Sequence, residues 1–220
     1  MTQWTILWDM DGVLADTADA HYKTWSRFLA EKDIHYTFEE FKQFFGMKNQ
    51  DFLPIILGYT PSRELLDQMS DAKEKAFRDV IDGNIRVFPG VIDMLEKFKR
   101  WGFKQAVASS APGENIDAVV DYLSLRDYFD ALISPVGIAG KPRPDIFLRA
   151  AEMLKAAPGQ CLVIEDSIQG VKAARNAHMK VLAVATSYLP EQLKEADKVV
   201  NRLSDLTEDD LKKLLHLTTQ

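Results

Sequence analysis

Two patterns of apolar residues alternate along most of the chain. Short continuous apolar runs, typical of buried strands, lie between stretches with helical spacing, such as Val91, Leu95 and Phe98, where apolar residues recur every three or four positions. This alternation predicts a parallel β-sheet covered by helices. Strands are predicted at residues 5–8, 105–109, 131–134, 161–165, 181–185 and 198–200.

Residues 17–84 interrupt the alternation. Helical spacing recurs there at 17–32, 38–45, 49–57 and 61–82, and no segment has the pattern of a strand. The sequence therefore predicts an α/β fold in which residues 1–16 and 85–220 form one domain and residues 17–84 form a helical insert. Thr207 and the three acidic residues after it predict the start of a last helix.

Composition and charge narrow the classes of partner. The 220 residues are 46% hydrophobic and 27% charged, with a net charge of −6, as in soluble globular proteins. No block of Lys and Arg gives the footprint of a nucleic-acid binder, and no apolar stretch approaches a signal peptide or membrane span. We predict a cytoplasmic protein with small-molecule ligands, no nucleic-acid or membrane partner, and an oligomeric state that the sequence leaves open.

Polar residues with catalytic potential follow several of the predicted strands. Because the carboxyl ends of parallel strands line the ligand crevice of an open sheet, we expect these clusters to converge in space. The clusters occupy residues 9–12, 109–115, 140–147 and 165–170.

The first cluster contains Asp9 and Asp11, with Gly12 permitting a sharp turn directly after them. Two carboxylates two residues apart at a strand end suit a nucleophile with a neighbouring general acid and base. A calcium-binding loop is the alternative. That loop requires an acid at its twelfth position, which here is Ala20.

The second and third clusters offer donors to a phosphate. Ser109 and Ser110 precede a predicted helix, where hydroxyls and free amides can bind a phosphate or simply cap the helix. Lys141 lies on a segment stiffened by two prolines, and a fixed ammonium offsets the charge of a transferring phosphoryl group. Taken by itself, this segment fits an ordinary surface lysine equally well.

The fourth cluster, Glu165 and Asp166, ends an apolar strand. Buried adjacent carboxylates repel each other unless a cation holds them. With Asp9 they form a set of oxygen ligands, which favours Mg²⁺ over zinc. Capping of the next helix is the alternative.

The segments WDMDGVLADT, VASSAPGENI, GKPRPDIF and VIEDSIQGVKAA, in this order and spacing, resemble the motifs of the haloacid dehalogenase superfamily, in its phosphatase branch with a helical cap. The resemblance covers nearly the whole chain. It implies a Rossmann-like parallel sheet core flanked by helices, with residues 17–84 as an inserted α-helical cap.

The resemblance also implies a role for each motif residue. Asp9 would attack phosphorus to form an aspartyl-phosphate, and Asp11 would protonate the leaving oxygen and later activate water. The dehalogenases lack an acid at the position of Asp11, so phosphate ester chemistry is implied. The other motif residues would bind the phosphoryl group (Ser109, Ser110 and Lys141) or Mg²⁺ (Asp9, the carbonyl of Asp11, Asp166, and Glu165 either directly or as an outer acid).

Residues 16–25 resemble the start of the β-phosphoglucomutase cap, including a histidine and a tryptophan four residues apart, here His21 and Trp25. These two would share a helix face, and Lys73 matches a lysine of that cap. Helical spacing by itself favours a place in the cap core for Trp25 and leaves both interpretations open for His21. The resemblance therefore implies substrate-binding roles for His21, Trp25 and Lys73.

Two departures distinguish the chain from a mutase. Asn49 stands where the mutase cap carries an arginine for the second phosphate, and residues 111–113 replace a polar turn. We therefore predict a Mg²⁺-dependent phosphatase of a small phosphorylated metabolite, such as a sugar phosphate. The alternatives are a β-phosphoglucomutase-type phosphotransferase and a non-catalytic binding domain, although the latter would lack a catalytic residue and none is missing.

Overall fold

The computed structural model describes residues 4–44 and 49–217. The chain divides into two compact units, one comprising Met1–Asp16 and Arg86–Gln220 and the other comprising Thr17–Ile85. The first boundary lies at the predicted position. The second lies one residue beyond it.

The larger unit is built on a parallel sheet. Within the described residues the strands are β1 (Thr5–Trp8), β2 (Ala15–Asp16), β3 (Arg86–Val87), β4 (Lys104–Ala108), β5 (Ala131–Ile133), β6 (Cys161–Glu165), β7 (Lys180–Val184) and β8 (Lys198–Val200). Six of them form one sheet in the order β5-β4-β1-β6-β7-β8, with every neighbouring pair parallel. The predicted α/β parallel sheet is confirmed.

The first strand lies in the centre of this sheet. Thr5 pairs with Lys104 on one side and with Cys161 on the other. Every residue of β1 is buried, as expected for a strand covered on both faces. The end of β1 is therefore flanked by the ends of β4 and β6.

Helices cover both faces of the sheet. They are α5 (Val91–Arg100), α6 (Gly113–Tyr122), α7 (Asp145–Met153), α8 (Ile168–Asn176) and α9 (Glu208–Leu214), numbered after the four helices of the other unit. On one face Phe147 and Val171 join Leu7 and Val163 in a single apolar core. On the opposite face the rings of Trp8 and Phe98 make an edge contact at 6.0 Å.

The smaller unit contains only helices among its described residues. These are α1 (Ala18–Ala30), α2 (Phe38–Phe44), α3 (Asn49–Leu57) and α4 (Arg63–Val80). An aromatic core that includes Trp25, Phe41 and Phe52 holds them together. Residue 45, the predicted end of the second helix, lies outside the described residues.

The antiparallel pair β2–β3 was not predicted. Ala15 pairs with Val87 and Asp16 with Arg86, where the chain leaves the larger unit and returns to it. Two-residue strands are too short to show an alternating pattern. In the described part of the chain, no helix combines the length and apolar character needed to cross a bilayer.

Candidate active site

Strand register brings the first and fourth clusters to one edge of the sheet. Trp8 pairs with both Val107 and Ile164, and the N–H of Asp9 donates to the carbonyl of Ile164 at 2.9 Å. Asp9 therefore leaves the sheet level with Glu165. For these two clusters the structure shows the expected convergence at the carboxyl ends of the strands.

A tight turn follows Asp9. The carbonyl of Met10 accepts hydrogen bonds from the N–H groups of Leu14 and Ala15 at 2.9 and 3.0 Å. Gly12 has a φ of +82°, and a Cβ at this position would overlap the carboxylate of Asp166. Glycine is required here for both reasons.

Lys141 joins three of the four clusters. Its Nζ donates to Asp9 Oδ1 and to Glu165 Oε1, and its side chain is only 8% exposed. The ammonium also lies 5.0 Å from the centroid of the Phe147 ring. Lys141 is therefore a buried, ion-paired lysine and not an ordinary surface lysine.

Glu165 is held from two sides. Its side chain is fully buried, and Oε2 accepts hydrogen bonds of 2.9 Å from the N–H groups of Asp166 and Ser167 and from the Ser167 hydroxyl. A Cβ at Gly170 would overlap this carboxylate. Both oxygens of Glu165 are thus engaged by the protein, one of them by Lys141.

The buried charges shift one another's ionisation. Burial raises the pKa of Asp9 to about 7, against the opposing effect of the Lys141 ammonium. Burial and the neighbouring carboxylates of Glu165 and Asp9 raise the pKa of Asp166 well above its ordinary value. Burial disfavours the charge of Lys141, but Asp9 and Glu165 outweigh it and raise the lysine pKa. Lys141 is therefore a permanent cation at neutral pH.

The donor set at this edge fits a hard divalent cation. Ser187 and Thr186 contact Asp166 only at Oδ2, and in the described part of the chain no hydrogen bond reaches Asp166 Oδ1 or Asp9 Oδ2. Two buried carboxylates with raised pKa values and open oxygens are what a cation would stabilise. Among the described residues no three His, Cys, Asp or Glu side chains group to hold a metal.

The two predicted phosphate-binding serines differ in their surroundings. Ser109 directly follows β4 and is buried, and its Oγ accepts a hydrogen bond of 3.1 Å from the N–H of Ala111. Ser110 is exposed. Because β4 is the direct neighbour of β1, Ser109 leaves the sheet beside Asp9.

Two hydroxyl residues at this edge were not predicted. Thr186 and Ser187 follow β7, and both contact the Asp166 carboxylate. Their position after a parallel strand was the available signal. Hydroxyl residues are equally common in turns, so the sequence pattern does not distinguish the two roles.

The predicted residues of the helical unit form a cluster of their own. Lys73 Nζ donates to His21 Nδ1 at 2.9 Å and to Glu74 Oε1 at 3.0 Å, and Asn49 Nδ2 donates to the same Glu74 oxygen at 2.8 Å. The His21 ring stacks on Phe77 at 4.1 Å. Their roles toward a substrate stay predictions.

Trp25 has a structural place in the helical unit. Its ring lies in the aromatic core, 4.7 Å from that of Phe52, and 5.3 Å from Lys73 Nζ. The core interpretation of Trp25 therefore accounts for its position without a ligand.

Comparison with known proteins identifies the family. The model of the haloacid dehalogenase-like hydrolase family matches residues 5–178. The chain belongs to this family, as the four motifs predicted. It is therefore classed as a hydrolase. The fold agrees with the crystal structure of β-phosphoglucomutase from Clostridium difficile, with a TM-score of 0.85, 26% identity and 97% coverage of each chain.

Relatives of similar identity carry different activity names. The chain is 30% identical to β-phosphoglucomutase of Bacillus subtilis, covering 92% of this chain and 91% of that protein. It is also 30% identical to the phosphorylated carbohydrates phosphatase of Thermotoga maritima, covering 78% and 80%. A further relative, the Suppressor of Quenching 1 protein of Arabidopsis thaliana, is 35% identical over 87% of this chain. The chain spans about a fifth of that relative's length, 19%.

Proposed function

We propose that the protein is a Mg²⁺-dependent phosphatase of small phosphorylated metabolites, with sugar phosphates as the foremost class. The observation that carries this proposal is the pairing of Lys141 with both Asp9 and Glu165. It unites a carboxylate nucleophile, a fixed cation and an acidic metal site at one edge of the sheet. The Thermotoga relative, named as a phosphatase of phosphorylated carbohydrates, supports the same substrate class.

In the first step Asp9 is the nucleophile. A carboxylate oxygen of Asp9 attacks phosphorus, the bond from phosphorus to the ester oxygen breaks, and the departing oxygen takes the proton of Asp11. The Lys141 ammonium offsets negative charge on the transferring group. The products of this step are the free alcohol and an aspartyl-phosphate on Asp9.

In the second step water ends the cycle. The Asp11 carboxylate, now without its proton, accepts a proton from water as the water oxygen attacks phosphorus. The bond from phosphorus to Asp9 breaks, which releases phosphate and restores both carboxyl groups. Glu165 takes no part in proton transfer, because its two oxygens hold Lys141 and the chain that follows.

Mg²⁺ would be held by Asp9, the carbonyl of Asp11 and Asp166. When bound, it supplies charge neutralisation to the phosphoryl oxygens. Asp9 and Asp166 are the residues whose pKa values burial raises, so a cation beside them favours the ionised form that attack requires.

A β-phosphoglucomutase-type transferase is the second candidate, because the Bacillus relative bears that name. The helical unit favours the hydrolase. The amide of Asn49 is committed to Glu74, which also neutralises Lys73. Burial alone would raise the pKa of Glu74, but Lys73, His21 and Asn49 outweigh it and lower the pKa. This cluster therefore offers a second phosphate little net positive charge.

The test is a screen of phosphorylated metabolites that reports phosphate release and isomerisation together. We expect phosphate release from a monophosphate in Mg²⁺, and loss of turnover with EDTA or in Asp9→Asn. Asp9→Asn is close in shape to the parent side chain, and its melting temperature serves as the folding control. Isomerisation of β-glucose 1-phosphate without phosphate release would refute the hydrolase proposal and support the mutase. If Asp9→Asn turns over substrate at the parental rate, the assignment of Asp9 as the nucleophile is refuted.

A further inference from the structure

The two hydroxyl residues after β7 lie beside the acidic edge of the sheet. Glu165 pairs with Ala183 across the β6–β7 ladder, so Asp166 leaves β6 level with the end of β7. The chain beyond that end carries Thr186 and Ser187. None of the four sequence motifs includes them.

The two hydroxyls donate to different acceptors. Thr186 Oγ1 lies 2.5 Å from the carbonyl oxygen of Gly12 and 3.4 Å from Asp166 Oδ2. A hydroxyl has one proton to donate, and the shorter distance assigns the proton of Thr186 to Gly12. Ser187 Oγ is therefore the donor to Asp166 Oδ2.

The bond from Ser187 fixes the orientation of the Asp166 carboxylate. It engages Oδ2, while within the described residues no hydrogen bond reaches Oδ1. The space around Oδ2 is also confined, because a Cβ at Gly12 would overlap that oxygen and lie 3.0 Å from Ser187 Oγ. One oxygen is thus pinned against the turn after Asp9, and the other is left available to a cation.

We propose that Ser187 is a positioning residue for the catalytic metal, holding Asp166 in the orientation that presents Oδ1 to Mg²⁺. The inference rests on the proposed function, because it assumes that Asp166 binds a divalent cation. Partners that orient a metal ligand typically change metal affinity by about 10–100-fold when removed. Ser187 is exposed, so water partly replaces its hydroxyl and we expect the lower end, about tenfold.

The test measures metal binding directly. Three proteins are compared: the parent, Ser187→Ala and Ser187→Thr. The dissociation constant of Mn²⁺ is measured by electron paramagnetic resonance of the free ion, and that of Mg²⁺ is measured by competition with Mn²⁺. We expect Ser187→Ala to weaken Mn²⁺ binding about tenfold. Ser187→Thr keeps a hydroxyl and should bind Mn²⁺ as the parent does. The melting temperature in EDTA should equal that of the parent for both variants. Raising Mg²⁺ should return kcat of Ser187→Ala to near the parental value. Ser204→Ala, an exposed serine elsewhere in the same unit, is the matched control.

The possible outcomes separate the two proposals. Parental Mn²⁺ affinity in Ser187→Ala, or an equal loss in Ser187→Thr and Ser187→Ala, overturns the positioning role. A parent protein that binds no Mn²⁺ overturns it as well. If Ser187→Ala weakens Mn²⁺ binding but the parent releases phosphate from no substrate, the positioning role stands and the phosphatase proposal fails.

Discussion

Gly170→Ala tests whether the packing around the Glu165 carboxylate is as tight as its contacts indicate. The new Cβ would occupy the position of the Glu165 carboxylate, which Lys141, Ser167 and the N–H of Asp166 all engage. Glu165 would have to move. The movement would break at least one hydrogen bond to a fully buried charge and loosen Lys141.

The net effect on stability follows from opposing terms. Replacing glycine by alanine inside a helix gains about 1 kcal/mol. Overpacking costs about 1–3 kcal/mol, and each lost hydrogen bond to a charged group about 1.5–3 kcal/mol. A single lost bond exceeds the helix gain, so we expect a net destabilisation of about 2–4 kcal/mol. For a chain of this size that lowers Tm by roughly 5–15 °C.

The assay combines thermal unfolding by circular dichroism with turnover of an aryl phosphate. Gly159→Ala is the matched control, because a Cβ there meets nothing within 4 Å, and we expect a change within about 0.5 kcal/mol. Glu165→Asp withdraws the carboxylate by one methylene, so the double variant with Gly170→Ala should be less destabilised than the sum of the single variants. Parental Tm and kcat in Gly170→Ala would refute the reasoning.

Three further predictions address other parts of the structure. Asp11→Asn is expected to lower kcat/KM for an alkyl phosphate by about 10²–10⁴-fold and to affect an aryl phosphate much less, so equal losses on both would contradict the acid role. Burial raises the pKa of Cys161 to about 11, and we expect a disulfide reagent at pH 8 to label it only as the chain unfolds; rapid labelling of native protein would contradict this burial. Thr207→Ala removes the side-chain cap of α9 and should lower Tm by about 2–4 °C at pH 7. Because hydrogen bonds from Thr207 lower the pKa of Asp210, that stabilisation is present above the ordinary aspartate pKa and disappears as the pH falls through the lowered value. The Tm difference between Thr207→Ala and the parent should therefore narrow in acid, and a constant difference would argue against the linkage.

The strands of the sheet were predictable because burial on both faces leaves continuous apolar runs. The run at residues 161–165 matches β6 residue for residue. β4 and β7 each begin one residue earlier than predicted, at Lys104 and Lys180. A lysine at a strand end keeps its charge in water while its backbone joins the ladder, and hydrophobicity alone does not reveal that.

The candidate site was predictable as far as its motifs follow strands. Asp9, Asp166 and Ser109 gather because parallel strands end at one edge of a sheet. The pairing of Lys141 with Glu165 was not predictable, because it depends on the path of the loop before α7. Ser187 was missed for a related reason, since only strand register shows that its hydroxyl faces Asp166.

The central position of β1 has a consequence for the order of assembly. β1 precedes in the chain both of its partners in the sheet, which begin at Lys104 and Cys161. Contacts so distant in sequence form slowly, because long loops must close before they are stabilised. A ribosome must therefore release the chain beyond Glu165 before Asp9 can lie beside both Lys141 and Asp166. Any fragment that stops earlier would carry Asp9 on an apolar strand that lacks a partner and is therefore prone to association.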